Sequence, residues 1–230
     1  MSVSPKILPD DHDAMIELFL DAVQQHMTVS GVVHVGAHRG QEVEHYRSRG
    51  IENIVLIEAN PVHCEFLEAQ YRGDSGVTVV NCAVSDIDGF VDLHVNVSRT
   101  GNDESSSILE LRRLSEIVPT LKTARTIQVP SRTLDTLASG GLFANCNFMS
   151  IDIQGAELRA LRGGRLALRD MQAILIETNV IEMYDQCALQ PQIDACLESS
   201  GFTCVERVYH ELYEGDRRFP AWGESLYVRG

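Results

Sequence analysis

The chain has 230 residues, 44% of them hydrophobic, which suits one large domain or one domain with an N-terminal extension. Its formal charge of −14, from 33 acidic against 19 basic side chains, opposes nucleic acid and anionic membranes, whose partners carry basic surfaces. No run approaches the ~18 consecutive apolar residues of a membrane span, and the N-terminus shows no basic start followed by an apolar run, so the expected compartment is the cytoplasm.

The six cysteines (Cys64, Cys82, Cys146, Cys187, Cys196, Cys204) are scattered without a CxxC pair, which argues against a structural zinc site and a disulfide framework. They read as small buried hydrophobes. Arg159, Arg162, Arg165 and Arg169 recur at helical spacing and read as a solvated helix face rather than a phosphate-binding patch.

In chain order, residues 1–9 read as a loose tail. Residues 10–27 predict an amphipathic helix, because Asp10, Asp11 and Asp13 favour a helix start and apolar residues then recur at helical spacing. This helix packs either on the domain or on a partner, and a homodimer is one such arrangement. Residues 1–30 are thus an N-terminal extension, and 31–230 the main domain.

From 31 the chain alternates between strand and helix. Residues 31–35, 53–58, 77–80, 90–95, 148–153 and 173–177 predict strands, and 125–130 an extended segment. Asn60-Pro61 is a helix start, with Asn as cap and Pro in the first turn. Residues 97–107 are polar and predict a mobile loop; 109–118 and 154–161 predict helices. The C-terminal part reads as helix 192–199, strand 202–208, a long loop 209–223 and strand 224–228. Such alternation implies a mostly parallel sheet, closed by an antiparallel edge.

In sheets of this kind ligands bind at the carboxyl ends of strands, so the strand ends hold the candidate site. The first opens into Gly36-Ala37-His38-Arg39-Gly40, whose glycines allow close backbone approach to a ligand. The second ends in Glu58, 22 residues after Gly36, where an acid can hold a ribose diol. The turn lacks the middle glycine that admits a pyrophosphate, which favours S-adenosylmethionine over a dinucleotide. Cys82 and Ala83 follow the third strand, placed to flank adenine. Asp152 and Glu177 end the next two strands and are candidate general bases; Asp152 projects into the donor crevice and is also a candidate cofactor contact, and Glu177 equally suits a helix cap. His38, at the turn, is a third candidate base or donor contact.

These segments, with LIEANP (56–61), SSSIL (105–109), TLDTL (133–137), SIDIQGAEL (150–158), IETNVIEMYDQCAL (176–189) and WGESLYV (222–228), resemble the FkbM family of class I methyltransferases over residues 31–229. The resemblance implies a Rossmann-like α/β fold: a seven-stranded, mostly parallel sheet of order 3-2-1-4-5-7-6, strand seven antiparallel, with helices on both faces. It implies that Gly36, Ala37, His38 and Gly40 hold the methionine part of the donor, Glu58 with Ala59 the ribose, and Cys82 with Ala83 the adenine. Ser106 of the serine cluster then lies near the donor or acceptor. His34 stands where many class I enzymes carry an acid that binds the donor's amino group, and it is either a donor contact or a satisfied strand residue.

The activity so implied is O-methylation of a hydroxyl on a sugar, glycan or natural product. N-methylation of an amine or amide and a non-catalytic donor-binding protein are the alternatives. The histidines His34, His38, His45 and His63 lack metal-helix spacing and read as structural or solvent-facing. A divalent ion on Asp152, Glu177 and substrate hydroxyls is chemically open but not required. Trp222, in 209–223, either lids the acceptor pocket or fills a surface groove.

Overall fold

Short apolar runs bounded by turn residues become strands buried on both faces, since helices cover each side. The computed structural model describes residues 6–7, 12–214 and 217–230. The first part of the chain forms β1 (Lys6–Ile7), α1 (His12–His26), β2 (Val32–Val35), α2 (Val43–Ser48), β3 (Ile54–Glu58), α3 (Pro61–Gln70) and β4 (Val77–Asn81). Then come β5 (Ala83–Val84), β6 (Gly89–Val97), α4 (Arg113–Ile117), β7 (Lys122–Arg132) and α5 (Leu134–Ser139). The chain ends with β8 (Phe148–Ile151), α6 (Glu157–Arg162), β9 (Ala173–Asn179), α7 (Gln190–Ser199), β10 (Phe202–Glu214) and β11 (Arg217–Arg229).

The main sheet runs β1-β10-β11-β9-β8-β2-β3-β4. Taking β2, β3, β4, β8, β9, β10 and β11 as strands one to seven gives the expected order 3-2-1-4-5-7-6, with β11 antiparallel to both neighbours. The eighth member is an addition: Lys6–Ile7, within the expected tail, pairs parallel to β10. Residues 8–11, where the first helix was expected to begin, lie outside the described residues.

Strand side chains alternate between the faces. Val33, Val35, Val55, Ile57, Met149, Ile151, Ile174 and Ile176 enter one layer with Leu134 of α5, Leu158 and Leu161 of α6, and Ile193 and Leu197 of α7. Val32, Ile54, Leu56, Phe148 and Ala173 enter the other with α1, α2 and α3. The N-terminal helix therefore packs on its own domain through Ile16, Phe19, Leu20 and Val23, each worth about 1.5–3 kcal/mol on full burial. Arg49 of the α2 end holds α1 through ion pairs with Glu17 and Asp21. Asn60 caps α3 as expected, its side chain accepting the Val62 N–H at 3.2 Å, with Pro61 in the first turn.

Between β4 and β8 the chain inserts a second sheet, β5-β7-β6. Its strands cover the two extended segments of the sequence reading, but their pairing into a separate sheet was not foreseen. Residues 97–107, expected as a free loop, are pinned against β6: His94 and Ser107 exchange backbone hydrogen bonds of 2.8 and 3.2 Å. The helix expected over 109–118 contracts to α4. The backbone of 110–114 pairs instead with 183–185, Arg112 N–H donating to Met183 O at 3.0 Å and Asp185 N–H to Glu110 O at 2.8 Å.

The expected long loop 209–223 is largely strand. β10 and β11 pair as one hairpin from Phe202↔Arg229 to Glu214↔Arg217, with a register shift between His210 and Glu211 that accommodates Pro220. Pro220 and the charges around it give this stretch a loop-like composition, yet the ladder includes Glu211↔Pro220 and reaches Glu214↔Arg217; residues 215–216 of the expected loop lie outside the described residues. No helix among the described residues is long and apolar enough to cross a membrane.

Candidate active site

Strand ends of the parallel sheet and the edge of the inserted sheet enclose two adjoining cavities. The smaller is a slot between Gly36, Glu58, Ala59, Cys82 and Ala83, closed by Asp103, Ser106 and Ser107 of the pinned segment. The larger lies against the sheet face that also carries α1 and α2. Gly36, His38, Glu104, Asp152 and Gln154 line both. Two of these, His38 (φ 45°) and Gln154 (φ 55°), hold left-handed backbone conformations that non-glycine residues seldom adopt.

The glycine turn is shaped by close packing. Gly36 has φ 90°, and a Cβ there would stand 1.8 Å from the Asp152 carbonyl oxygen. Only glycine lets the ends of β2 and β8 approach so closely. Ala37 and Gly40 complete the turn, with Gly40 N–H donating to Ala37 O at 2.7 Å. Ala37 is buried in the core, and Gly40 faces Leu67 and Tyr71. These two therefore shape the slot without lining it.

Glu58 is buried, and its two carboxylate oxygens accept the backbone N–H groups of His38 and Asn60, each at 2.7 Å. Burial raises its carboxyl above the usual range, while the backbone donors work the other way. Each oxygen keeps a further lone pair for a hydroxyl.

The slot also holds two buried polar atoms without partners, Asn60 Nδ2 and His63 Nδ1. His63 Nε2 bonds Asp103 Oδ2 at 2.9 Å, and His38 Nε2 bonds Asp103 Oδ1 at 3.1 Å. Gln41 Nε2 lies 3.2 Å from His38 Nδ1, so both His38 ring nitrogens are engaged. That makes His38 a positioning residue rather than a free base. Burial and the nearby His38 depress the His63 imidazole pKa, although Asp103 opposes this. Burial pushes Asp103 up, but hydrogen bonds from the two histidines leave its carboxyl below the usual range.

Asp103, His63, Asn60 and Gln154 were not proposed as site residues from sequence, whereas Ser107 belongs to the serine cluster placed near the donor or acceptor. Asp103 sits in a polar stretch with no periodicity to mark it, and its partners are 40 and 65 residues away. In the serine cluster, Ser106 Oγ donates to Asp103 O and Ser107 Oγ to Gln154 O, each at 2.7 Å. The cluster thus fastens the wall of the slot to the turn after β8.

At that turn stands an acid network. Glu157 is buried, and its Oε1 accepts the Ile153 and Gly155 N–H groups at 3.1 and 3.0 Å. Burial pushes its carboxyl up to about 7. Gln154 Nε2 donates to Asp152 Oδ1 at 2.7 Å and to Glu177 Oε2 at 3.1 Å, and Tyr184 Oη donates to Gln154 Oε1 at 2.5 Å. Burial holds Glu177 well above the carboxylate range, with Asp152 and Glu157 adding to the effect. Burial thus disfavours the charged form of Glu177, whereas Asp152 is exposed.

His34, a candidate donor contact, faces the larger cavity instead, where the Tyr46 hydroxyl lies 2.9 Å from its Nδ1. Trp222 supplies an aromatic wall of the larger cavity, as the first of its two readings expects. It is fixed on β11 and stacks on His210 at 4.9 Å. Among the described residues, two groups each hold ligand atoms within 4.8 Å of one another: Asp152, Glu157 and Glu177, and His38, His63 and Asp103. In both, hydrogen bonds within the protein already engage the groups.

Among the described residues, no lysine or arginine lines the slot. A nucleoside ligand held here has no partner for a phosphate, while Glu58 suits a ribose diol and the unpartnered Asn60 and His63 atoms suit a polar edge. Fold and slot together define a Rossmann-like class I methyltransferase. The family model of the methyltransferase FkbM domain matches residues 34–204, and the chain belongs to this family. Its cofactor is S-adenosylmethionine, which the slot residues fit.

The sequence matches no curated protein. The chain is similar in structure to the FkbM methyltransferase of Methylobacillus flagellatus, with 15% identity and a TM-score of 0.48, over 86% of this chain and 43% of that one. It thus spans less than half of that protein's length. Precorrin-6y C5,15-methyltransferase of Geobacter metallireducens gives 11% identity and a TM-score of 0.48, over 99% and 93% of the two chains. Magnesium protoporphyrin IX methyltransferase of Synechocystis gives 8% and 0.49, over 95% and 80%.

Proposed function

We propose that this protein transfers the methyl group of S-adenosylmethionine to a hydroxyl of a sugar, glycan or natural product. The observation that carries this reading is the place of Asp152, which borders both the donor slot and the larger cavity. When bound, the donor supplies a methyl group on a sulfonium whose positive charge vanishes on transfer.

An alcohol ionises too little near neutrality to attack unaided, so a base must take its proton as the methyl arrives. Asp152 fills that role. Its carboxylate accepts the hydroxyl proton while the O–CH3 bond forms and the S–CH3 bond breaks, leaving a methyl ether and a thioether. Gln154 fixes the carboxylate, and burial disfavours the charged form of the neighbouring Glu177. Gly36, turned tightly against the Asp152 carbonyl, sets the distance between the two ligands.

Five carboxylates line the larger cavity (Glu42, Glu104, Asp152, Glu177 and Glu224), with no lysine or arginine among the described lining residues. That lining disfavours a polyphosphate acceptor and supports a small molecule or glycan over nucleic acid. The test is label transfer: protein, methyl-labelled donor and a panel of hydroxyl compounds, with the product's methyl position read by mass spectrometry and NMR. Methylation confined to nitrogen would replace this reading with the amine alternative; donor binding without transfer to any acceptor would favour a non-catalytic role.

A further inference from the structure

The floor of the larger cavity is a cross-strand patch whose chemistry narrows the acceptor. Glu177 and Asn179 alternate along β9, and Trp222 and Glu224 along β11. The register pairs Glu224 with Glu177 and Trp222 with Asn179, and sets His210 of β10 opposite Trp222. Period-two alternation puts all five side chains on one face, and all five line the cavity.

Two atoms of this patch are buried without hydrogen-bond partners: Asn179 Nδ2, a donor, and Glu224 Oε2, an acceptor. Asn179 is only 2% exposed. An unmet buried polar atom costs about 1–3 kcal/mol, and the ligand is the natural source of both missing partners. The Asn179 amide calls for a hydroxyl or ether oxygen. Glu224 calls for a donor, and His210 Nε2 lies 3.8 Å from its Oε1, beyond hydrogen-bond distance.

Charge then chooses among donors. Leaving Glu177 aside, four carboxylates face the cavity, and no lysine or arginine does among the described residues. A neutral polyol would leave that excess uncompensated, and a phosphate or sulfate would worsen it. An ammonium offsets it. The indole face of Trp222 adds apolar cover for a ring and favours a nearby cation.

We propose that the acceptor is a hydroxylated amine of the amino-sugar or aminocyclitol class, whose unmethylated ammonium pairs with Glu224 while its ring rests on Trp222. This rests on the O-methylation reading above, with the amine as the handle and a hydroxyl as the methyl acceptor.

The test uses the full chain, saturated with S-adenosylhomocysteine, in calorimetric titrations. Amino sugars, aminocyclitols and aminoglycosides are compared with the same compounds after N-acetylation, which removes the charge and keeps the ring. At least one free amine is expected to bind about tenfold or more tighter than its acetylated partner, a difference of about 1.4 kcal/mol. Glu224→Gln is expected to erase that preference, with S-adenosylhomocysteine titration of the variant as the control for folding. No amine preference in the panel, or a preference that survives Glu224→Gln, overturns the proposal.

The two readings separate in a label-transfer assay. Neutral polyols methylated on oxygen without any amine preference would keep O-methylation and reject the amine handle. Selective amine binding that Glu224→Gln abolishes, without methyl transfer to any acceptor, would keep the handle and reject O-methylation. Label found on the nitrogen would reject both.

Discussion

Glu58 accepts the backbone N–H of His38 at 2.7 Å, so the acid that ends β3 also locks the glycine turn after β2. The same carboxylate has lone pairs left for a ribose diol. Glu58→Ala removes both roles. Because hydrogen bonds to a charged group contribute about 1.5–3 kcal/mol each, affinity for S-adenosylhomocysteine should fall roughly 100-fold. Calorimetric titration measures it, and an unchanged Kd would contradict the ribose assignment.

The proposed mechanism gives two neighbouring carboxyl groups different roles: Asp152 receives the proton, and the buried Glu177, whose charged form burial disfavours, does not. Asp152→Asn removes the acceptor and should lower kcat by roughly 10²–10⁴-fold, the usual worth of a general base, with donor affinity nearly unchanged. Glu177→Gln imitates the protonated acid, and its kcat should stay within a few-fold of the parent. Steady-state kinetics on the identified acceptor compares the two. Equal damage from both substitutions would mean that Glu177 acts ionised.

Tyr184 touches neither strand end directly, yet its hydroxyl donates to Gln154 Oε1 at 2.5 Å and so turns the amide nitrogen toward Asp152 and Glu177. Tyr184→Phe frees that amide to flip. The expected loss is roughly tenfold in kcat, about one hydrogen bond, with KM for the donor little changed. The pH profile should move as well, because the Gln154 donor bond to Asp152 is no longer fixed. A slower enzyme with an unmoved profile would point to a packing role alone.

Much of this arrangement was legible in the sequence, because strand ends carry local signals. The GVVHV and NIVLIE runs, the Gly36–Gly40 turn and the spacing to Glu58 each follow from a few consecutive residues. The C-terminal hairpin was less legible: Pro220 and the charges around it suggest a loop, whereas the ladder between β10 and β11 is a long-range property that composition does not reveal. The His38–Asp103–His63 contact was hidden for the same reason, since it forms only when the inserted sheet folds over the strand ends. Asn179 was hidden differently. It lies two residues past the apparent end of its strand, and only the partner strand makes it part of a buried floor.

Glu157 links the site to stability. Its folded carboxyl, pushed up to about 7 by burial, holds a proton that the unfolded chain, with a value near 4.5, has already lost at neutral pH. Between these values the folded state binds more protons, so its stability falls as pH rises and the contribution is gone above about 7. At ~1.36 kcal/mol per pH unit, the effect is on the order of 3 kcal/mol. Glu157→Gln keeps a carbonyl for the Ile153 and Gly155 N–H groups and removes the titration. The variant's Tm relative to the parent should therefore rise by several degrees between pH 5 and pH 8. Differential scanning calorimetry across that range gives the result, and a Tm gap that does not change with pH would show that Glu157 is ionised throughout.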